Sequence, residues 1–271
     1  MCIKLNVGQN PRTNETVNLN RDTPNALIVG ASGAGKSVLL RNLIHGMVTE
    51  FSPEELDIMM VDCRGGGFSE FADGEGNCIV PHVSYLFSSK CSHVMWSALF
   101  MFEAELRRRA QVLKDASVGT IDEYNAEFSE SSGPMPELVL IIDEVGMALP
   151  EYMQPEMEKF LSYVAQVQRT VGAHIIFCNQ GPCKCNWATI MNMCDNRIVL
   201  RTTAKVSSEV LGSVVASELK DKFGYVYTNT ERGEMPFSTT LWKVPNMVIE
   251  DIKVECDRMQ YPFTRQAIMY V

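Results

Sequence analysis

The sequence of 271 residues contains no long hydrophobic run. No stretch approaches the ~18 consecutive apolar residues that indicate a membrane-spanning helix. Residues 1–7 also lack the apolar core of a signal peptide. These absences predict a cytoplasmic protein, and any attachment to the inner face of the cell membrane would come through regions outside this chain.

The sequence also lacks a disulfide framework and an excess of basic charge. Its nine cysteines are odd in number and irregular in spacing, which indicates reduced thiols rather than a disulfide-rich secreted domain. The net charge of −9 argues against a chain coated in basic residues that holds nucleic acid by overall charge. A local basic patch that faces a pore remains compatible with this composition.

A phosphate-binding motif is the strongest signal that the sequence does contain. Residues 30–37 read Gly-Ala-Ser-Gly-Ala-Gly-Lys-Ser and match G-x-x-x-x-G-K-[ST] at every fixed position. A strand-like apolar run at 26–29 precedes the motif and a helical pattern at 38–44 follows it, as this motif requires. The alternative is a glycine-rich turn that binds nothing. We predict that the chain binds ATP.

Each residue type in this motif has a chemical role. The glycines let successive N–H groups curl around phosphates, and the following helix contributes the positive end of its dipole. Lys36 is predicted to reach the β- and γ-phosphates, and the Ser37 hydroxyl to ligate Mg²⁺. The predicted nucleotide-binding residues are Gly30, Ala31, Ser32, Gly33, Ala34, Gly35, Lys36, Ser37 and Val38.

A second motif supplies adjacent carboxylates. The apolar run 138–142 ends in Asp143 and Glu144. Asp143 is predicted to hold Mg²⁺ through water, while Glu144 orients or deprotonates the attacking water. A solvated strand end is the alternative. The presence of Lys36 in the same chain favours the catalytic interpretation.

Further polar candidates follow later strands. Gln180 comes after the apolar run 174–178 and is predicted to report hydrolysis, because its amide can donate to a phosphate oxygen. Arg197 is a candidate arginine finger that reaches the nucleotide of a neighbouring subunit, with Arg169 and Arg201 as competitors. A structural salt bridge is an equally good interpretation of each arginine.

The alternation of apolar runs and helical patterns predicts an α/β fold, with a mainly parallel sheet between two layers of helices. The predicted strands are 26–29, 57–62, 138–143, 174–178 and 197–200, and a long helix is predicted near 94–110.

The length suits one large domain, 1–271, which is compatible with a piece of a longer protein. Four further segments are also predicted from the sequence. Residues 1–25 are interpreted as a short N-terminal extension, and 107–109 as the solvated end of the long helix. Residues 128–134 are predicted to form a polar loop, and 241–271 irregular structure or a short antiparallel addition.

The order of these motifs resembles the FtsK/SpoIIIE family of motor ATPases over about residues 7–227. The resemblance is carried by 30–37, 62–64, 104–109, 123–125, 143–144, 172–174, 179–180 and 207–212. It implies a three-layer RecA-like P-loop domain that assembles into hexameric rings and pumps double-stranded DNA, while related modules drive conjugation or type VII protein secretion. It also implies roles for Lys36 as the Walker lysine, Asp143 and Glu144 as the Walker B acids, Gln180 as the sensor and Arg197 as the trans-acting arginine.

Several positions depart from the family pattern. The chain has Asn179-Gln180 where the family usually has Thr-Gln, so sensor chemistry that uses a hydroxyl is absent. It has Asp62-Cys63-Arg64 in place of Asp-x-Lys, and the glycines at 65–67 are similar to the Lys-Gly-Gly run of the type VII branch, EssC/EccC. Met193 stands where the family places an asparagine, four residues before the arginine.

We expect an ATP-hydrolysing, Mg²⁺-dependent ring motor that translocates double-stranded DNA. One alternative is the ATPase module of a type VII secretion system that acts on protein substrates, which the acidic charge and the glycines at 65–67 favour slightly. A nucleotide-binding assembly module with little hydrolysis and a P-loop kinase are two others, and the adjacent Asp143 and Glu144 argue against both. The expected partners are a homo-oligomeric ring, DNA or secreted proteins, and a membrane-anchored partner or segment.

Overall fold

The computed structural model describes residues 2–9, 14–73, 78–148, 151–183, 186–220, 223–228, 240–243, 249–259 and 268–270. Eleven strands in this part of the chain form one sheet. In chain order they are β1 (Ile3–Gln9), β2 (Asn14–Leu19), β3 (Asn25–Val29), β4 (Leu56–Asp62), β5 (Val83–Ser88), β6 (Glu137–Asp143), β7 (Ala173–Asn179), β8 (Asn196–Leu200), β9 (Phe223–Thr228), β10 (Thr240–Lys243) and β11 (Ile268–Tyr270).

The helices connect these strands. They are α1 (Lys36–Glu50), α2 (Ser92–Asp115), α3 (Ile121–Ser132), α4 (Val145–Ala148), α5 (Gln154–Val171), α6 (Trp187–Met193), α7 (Ala204–Leu211) and α8 (Ile249–Met259). Within the described ranges, none of these helices combines the length and the apolar character that crossing a bilayer requires.

The sheet is mainly parallel, as predicted. Its strand order is β11-β5-β4-β6-β7-β3-β8-β9-β10-β1-β2. All neighbours from β11 to β8 pair in parallel, and those from β8 to β2 pair antiparallel. The five predicted strands are all present, and each boundary lies within one residue of its predicted position.

Two apolar cores lie on the two faces of the sheet. Alternate residues of β6 divide between them, because successive side chains of a strand point to opposite faces. Ile141 packs in the core that contains α1 and α8, and Leu140 and Ile142 pack in the core that contains α2 and α5. This burial on both faces explains the continuous apolar runs and confirms the three layers.

The N-terminal segment is part of the sheet rather than an extension. β1 pairs with β2 and β10, and it packs against α1. Ile3 and Leu5 are fully buried in the core beneath that helix. The prediction of an extension over 1–25 is therefore wrong, because this hairpin completes the antiparallel edge.

Two other segments are more regular than predicted. The C-terminal region contains α8, which buries Ile252 and Cys256 in the core with α1, and β11, which pairs in parallel with β5. Of the described residues in 241–271, those of β10 fit the predicted antiparallel addition, because β10 pairs antiparallel with β9. Residues 244–248, 260–267 and 271 of this prediction lie outside the described part of the chain. The predicted loop at 128–134 is also wrong in part, since α3 continues to Ser132 and ends at Gly133, whose φ is 79°.

Arg109 corrects the interpretation of 107–109 as a solvated helix end. Its side chain is 1% exposed, although the two arginines before it are exposed. Its guanidinium donates to the Glu105 carboxylate at 2.8 Å and to the carbonyls of Pro136 at 2.6 Å and Val171 at 3.2 Å. Arg109 therefore ties α2 to the amino ends of β6 and β7.

Candidate nucleotide-binding site

The site lies where four parallel strands end. Val29 of β3 is paired with Asn179 of β7, and Asp62 of β4 is paired with Asp143 of β6. These residues share one edge of the sheet because the strands run in the same direction. Ligands of open α/β sheets bind outside this carboxyl edge.

The loop that follows β3 is anchored by the neighbouring strand ends. The Gly30 N–H donates to the Asn179 carbonyl at 3.2 Å, and the Ala31 N–H donates to the Arg201 carbonyl at 2.9 Å. A Cβ at Gly30 would lie 2.9 Å from the Leu200 Cβ, so only glycine fits this close approach. β7 and β8 thus fix the start of the predicted phosphate cradle.

The second half of the loop opens towards solvent. Gly33 and Gly35 have φ values of 77° and 109°, in the left-handed region that favours glycine. A Cβ at Gly33 would meet nothing within 4 Å. The first-turn N–H groups at 36–38 have no acceptor within α1, which makes this end of the helix suitable for an anion. Ser37, the predicted Mg²⁺ ligand, is exposed there.

Lys36 lies under this loop. Its ammonium donates to the Gly30 carbonyl at 2.7 Å and lies 3.6 Å from Glu144 Oε1. Burial lowers the pKa of Lys36, and the charges of Glu144 and Asp143 oppose that shift. The structure therefore brings Lys36 together with the predicted acidic pair.

Both predicted acids are buried at the end of β6. Asp143 and Glu144 are each 3% exposed, and the Asp143 Oδ1 and Glu144 Oε1 atoms have no hydrogen-bond partner among the residues that the structure describes. Burial, reinforced by the neighbouring Glu144 charge, raises the pKa of Asp143 to about 6. A carboxylate oxygen left unpaired fits Mg²⁺, which proteins bind through one or two carboxylates while it keeps several waters.

An unusual backbone conformation directs Glu144. Its φ is 61°, a value that few residues other than glycine adopt. Its N–H donates to the Cys178 carbonyl at 2.8 Å, and its carboxylate accepts the Gln180 backbone N–H at 3.4 Å. The predicted sensor Gln180 therefore lies beside Glu144, and its contact is made by the backbone.

Arg64 is a site residue to which the sequence reasoning gave no role. Its Nε lies 3.8 Å from Asp143 Oδ2, and its Nη2 lies 4.0 Å from Glu144 Oε1. The side chain reaches them because β4, which ends at Asp62, is paired with β6. The sequence alone does not show which strands are neighbours in the sheet, so the approach of Arg64 to the acidic pair could not be predicted.

Arg197 lies away from this edge. It is paired with Leu27 in the middle of β3, and its guanidinium donates to the carbonyls of Val210 at 3.0 Å, Met191 at 3.1 Å and Cys194 at 3.3 Å. These bonds tie the ends of α6 and α7 to the sheet. These bonds to carbonyls favour a structural role, and the trans-acting role remains a prediction.

The two competing arginines lie at opposite ends of the parallel strands, Arg169 at the amino ends and Arg201 at the carboxyl ends. Arg169, near the end of α5, is exposed and donates to the Asp22 carbonyl at 3.4 Å, before β3 begins. Arg201 directly follows β8, and its carbonyl holds Ala31 of the phosphate-binding loop. Of these two, Arg201 is the one beside the site.

Comparison with known proteins agrees with this geometry. The sequence profile of the FtsK/SpoIIIE family matches residues 1–231. The type VII secretion system protein EssC of Staphylococcus aureus (strain NCTC 8325 / PS 47) is 30% identical over 162 residues, which are 59% of this chain and 10% of EssC. The DNA translocase FtsK of Clostridium tetani (strain Massachusetts / E88) is 28% identical over 164 residues, which are 59% of this chain and 21% of FtsK.

A solved structure with a similar fold is the cytoplasmic domain of the Thermomonospora curvata type VII secretion ATPase EccC. It matches with a TM-score of 0.78 at 24% sequence identity, over 99% of this chain and 32% of that one. This likeness confirms the predicted three-layer RecA-like fold. The matched region spans 10% of EssC and 21% of FtsK, so the chain corresponds to one part of those relatives.

Proposed function

We propose that this chain, which belongs to the FtsK/SpoIIIE family, hydrolyses ATP as the catalytic module of a translocating motor. One observation carries the proposal. Lys36, Asp143 and Glu144 come from separate parts of the sequence, and they converge at the edge where the phosphate-binding loop opens. Hydrolysis of a phosphoanhydride needs this combination of a phosphate-binding cation, a metal-holding acid and a water-activating acid.

Each residue has a chemical task in this proposal. The N–H groups at 33–38 and the Lys36 ammonium bind the phosphates, and Glu144 accepts the proton of the attacking water. Ser37 and Asp143 would hold Mg²⁺, which neutralises phosphate charge when bound. The burial of the acidic pair excludes bulk water from the reacting groups.

The cargo and the assembly form the second part of the proposal. We favour a polypeptide over the double-stranded DNA expected from the sequence, because the net charge is −9 and the region overlaps EssC. Double-stranded DNA stays a candidate, since a similar stretch overlaps a DNA translocase. A homo-oligomeric ring at the cytoplasmic face of the membrane, held by a membrane-anchored partner or segment, would allow an arginine such as Arg197 or Arg201 to act on a neighbour.

ATP turnover with Mg²⁺ tests the hydrolytic proposal. Glu144→Gln should keep ATP binding and lower turnover by ~10²-fold or more, because the amide keeps the shape but cannot accept the proton. Glu103→Gln, on α2, is the control and should match the parent. Equal turnover in the parent and in Glu144→Gln would contradict the assignment, and a parent that binds ATP without turnover would favour the assembly module.

Added duplex DNA separates the two cargo candidates. We expect parental turnover to stay within about twofold over a range of salt concentrations, because an acidic chain gains little from counterion release. Stimulation of about tenfold or more that weakens as salt increases would instead favour DNA.

A further inference from the structure

We propose that Arg64 is a second phosphate-recognising cation of this site, which acts within its own subunit and distinguishes a nucleoside triphosphate from a diphosphate. The inference deepens the proposed function and rests on it. Arg64 approaches both acids at the end of β6, with Nε 3.8 Å from Asp143 Oδ2 and Nη2 4.0 Å from Glu144 Oε1. Its guanidinium therefore lies beside the groups assigned to metal binding and water activation.

Arg64 and Lys36 converge on the same atom. The Lys36 ammonium lies 3.6 Å from Glu144 Oε1, the oxygen that Arg64 approaches to 4.0 Å. A P-loop lysine reaches the β- and γ-phosphates of its nucleotide. A cation that shares its acidic neighbour is therefore placed for the terminal phosphate, which only the triphosphate carries.

The contacts of Arg64 are loose compared with those of other buried or half-buried arginines. Arg109 and Arg197 donate hydrogen bonds of 2.6 to 3.3 Å to their partners. Among the described residues, the Arg64 guanidinium meets its acidic neighbours at 3.8 and 4.0 Å, and its side chain is 31% exposed. A planar guanidinium held this way can take up the bidentate contact that phosphate oxygens accept.

The two cations also repel each other. Burial is the main cause that lowers the pKa of Lys36, and the Arg64 charge lowers it further. Two cations remain close at low cost only when anions lie between them. Asp143 and Glu144 supply that charge in this structure, and a terminal phosphate would supply more.

A rigid turn holds the Arg64 backbone in place. The buried Asp62 carboxylate accepts the Arg64 N–H at 2.8 Å, the Gly67 N–H at 2.5 Å and the Ser88 hydroxyl at 2.9 Å. Gly65 within this turn has a φ of 70°, which favours glycine. A fixed backbone with a half-exposed side chain lowers the ordering cost of binding.

The test measures the affinity of the full chain for ATPγS and for ADP with Mg²⁺ present. Arg64→Gln removes the charge at similar length and should weaken ATPγS binding by about tenfold, while ADP binding changes by less than about twofold. Arg64→Lys keeps a charge without the planar fork, so it should weaken ATPγS binding by only about threefold.

Arg108→Gln is the matched control, because it removes one of two arginines from Glu105 at an exposed position and should leave both affinities unchanged. An unchanged ratio of ATPγS affinity to ADP affinity in Arg64→Gln would overturn the proposal. If Arg64→Gln does not fold, an unchanged ratio in Arg64→Lys would overturn it instead.

The outcomes separate this inference from the proposed function. A parent that binds nucleotide without turnover contradicts the hydrolytic proposal, while the affinity ratio still decides the role of Arg64. A parent that hydrolyses ATP while the ratio stays constant in the variants contradicts only the role of Arg64. If neither nucleotide binds to the parent, both proposals fail.

Discussion

β6 carries a buried carboxylate at each end, and the two differ in how closely cationic side chains approach them. At the amino end, Glu137 accepts two hydrogen bonds from Arg21 at 2.8 and 2.6 Å and lies 3.2 Å from His174. At the carboxyl end, Asp143 has its nearest described cation, Arg64, at 3.8 Å. Both carboxylates are 3% exposed.

The pKa values express this difference. Although burial opposes it, hydrogen bonding to His174 and Arg21 lowers the pKa of Glu137 to about 2. Burial raises the pKa of Asp143 to about 6 because its partners are too distant to compensate. The Glu137 carboxylate is thus stabilised within the chain, whereas the Asp143 carboxylate lacks close cationic partners, a deficit that a metal ion can meet.

The largest expected effect tests the amino end. Arg109→Ala should lower the free energy of unfolding by about 3–5 kcal/mol, because it leaves buried carbonyls and part of the Glu105 charge without a donor. Arg108→Ala, one residue earlier and exposed, should cost less than about 1 kcal/mol. Denaturant unfolding of both variants measures the difference. Equal losses of unfolding free energy would mean that burial does not determine how much these arginine contacts stabilise the fold.

The next effect tests the carboxyl end. Lys36→Ala should weaken ATP binding by about 100-fold or more, since it removes the charge nearest to the phosphates from a partly dehydrated site. Nucleotide titration measures the loss, with the exposed Lys159→Ala as control. Unchanged affinity would remove this edge from nucleotide binding.

Arg197 lies on β8, between the amino and carboxyl edges of the parallel strands, and its substitution is expected to have an effect of intermediate size. Arg197→Ala should lower the free energy of unfolding by about 2 kcal/mol, because three carbonyls lose the hydrogen bonds that the guanidinium donates to them. In the structural role that its bonds favour, turnover of the folded variant should stay near the parental value. Activity regained on mixing Arg197→Ala with Lys36→Ala subunits would instead establish the trans-acting role.

The smallest effect is a pH dependence of stability. The pKa of Glu137 in the folded chain lies below its ordinary value of 4.5, so the ionised carboxylate stabilises the fold above that pH. That contribution should be lost progressively as pH falls from 4.5 towards 2. Unfolding curves across this range measure the slope, and Glu137→Gln should reduce it. A variant with the parental slope would assign acid sensitivity to other groups.

The sequence predicted the central strands and the phosphate-binding loop because both have strong local signals. Runs such as 138–142 are apolar on both faces, and the glycine spacing at 30–37 follows from backbone geometry. The burial of Arg109 escaped the prediction, although it continues the apolar stripe of Phe102 and Leu106 at helical spacing. An arginine satisfied by carbonyls of other segments has no local signal.

The unpredicted parts of the site depend on tertiary arrangement. Arg64 reaches the acidic pair only because β4 lies next to β6, and Glu144 faces Lys36 only because its φ is 61°. β1 was missed although its sequence alternates apolar and polar residues, as in Ile3-Lys4-Leu5-Asn6. The edge strands β2 and β11 gain their structure from the sheet that they join.

The most direct test compares the two carboxylates of β6 at pH 8. Asp143→Asn should raise the free energy of unfolding by about 1–2 kcal/mol, because it removes a buried charge with a raised pKa, and it should weaken Mg²⁺-dependent ATP binding. Glu137→Gln should lower the free energy of unfolding by about 2–4 kcal/mol and leave ATP binding unchanged. Destabilisation by Asp143→Asn with Mg²⁺-dependent ATP binding intact would contradict the account.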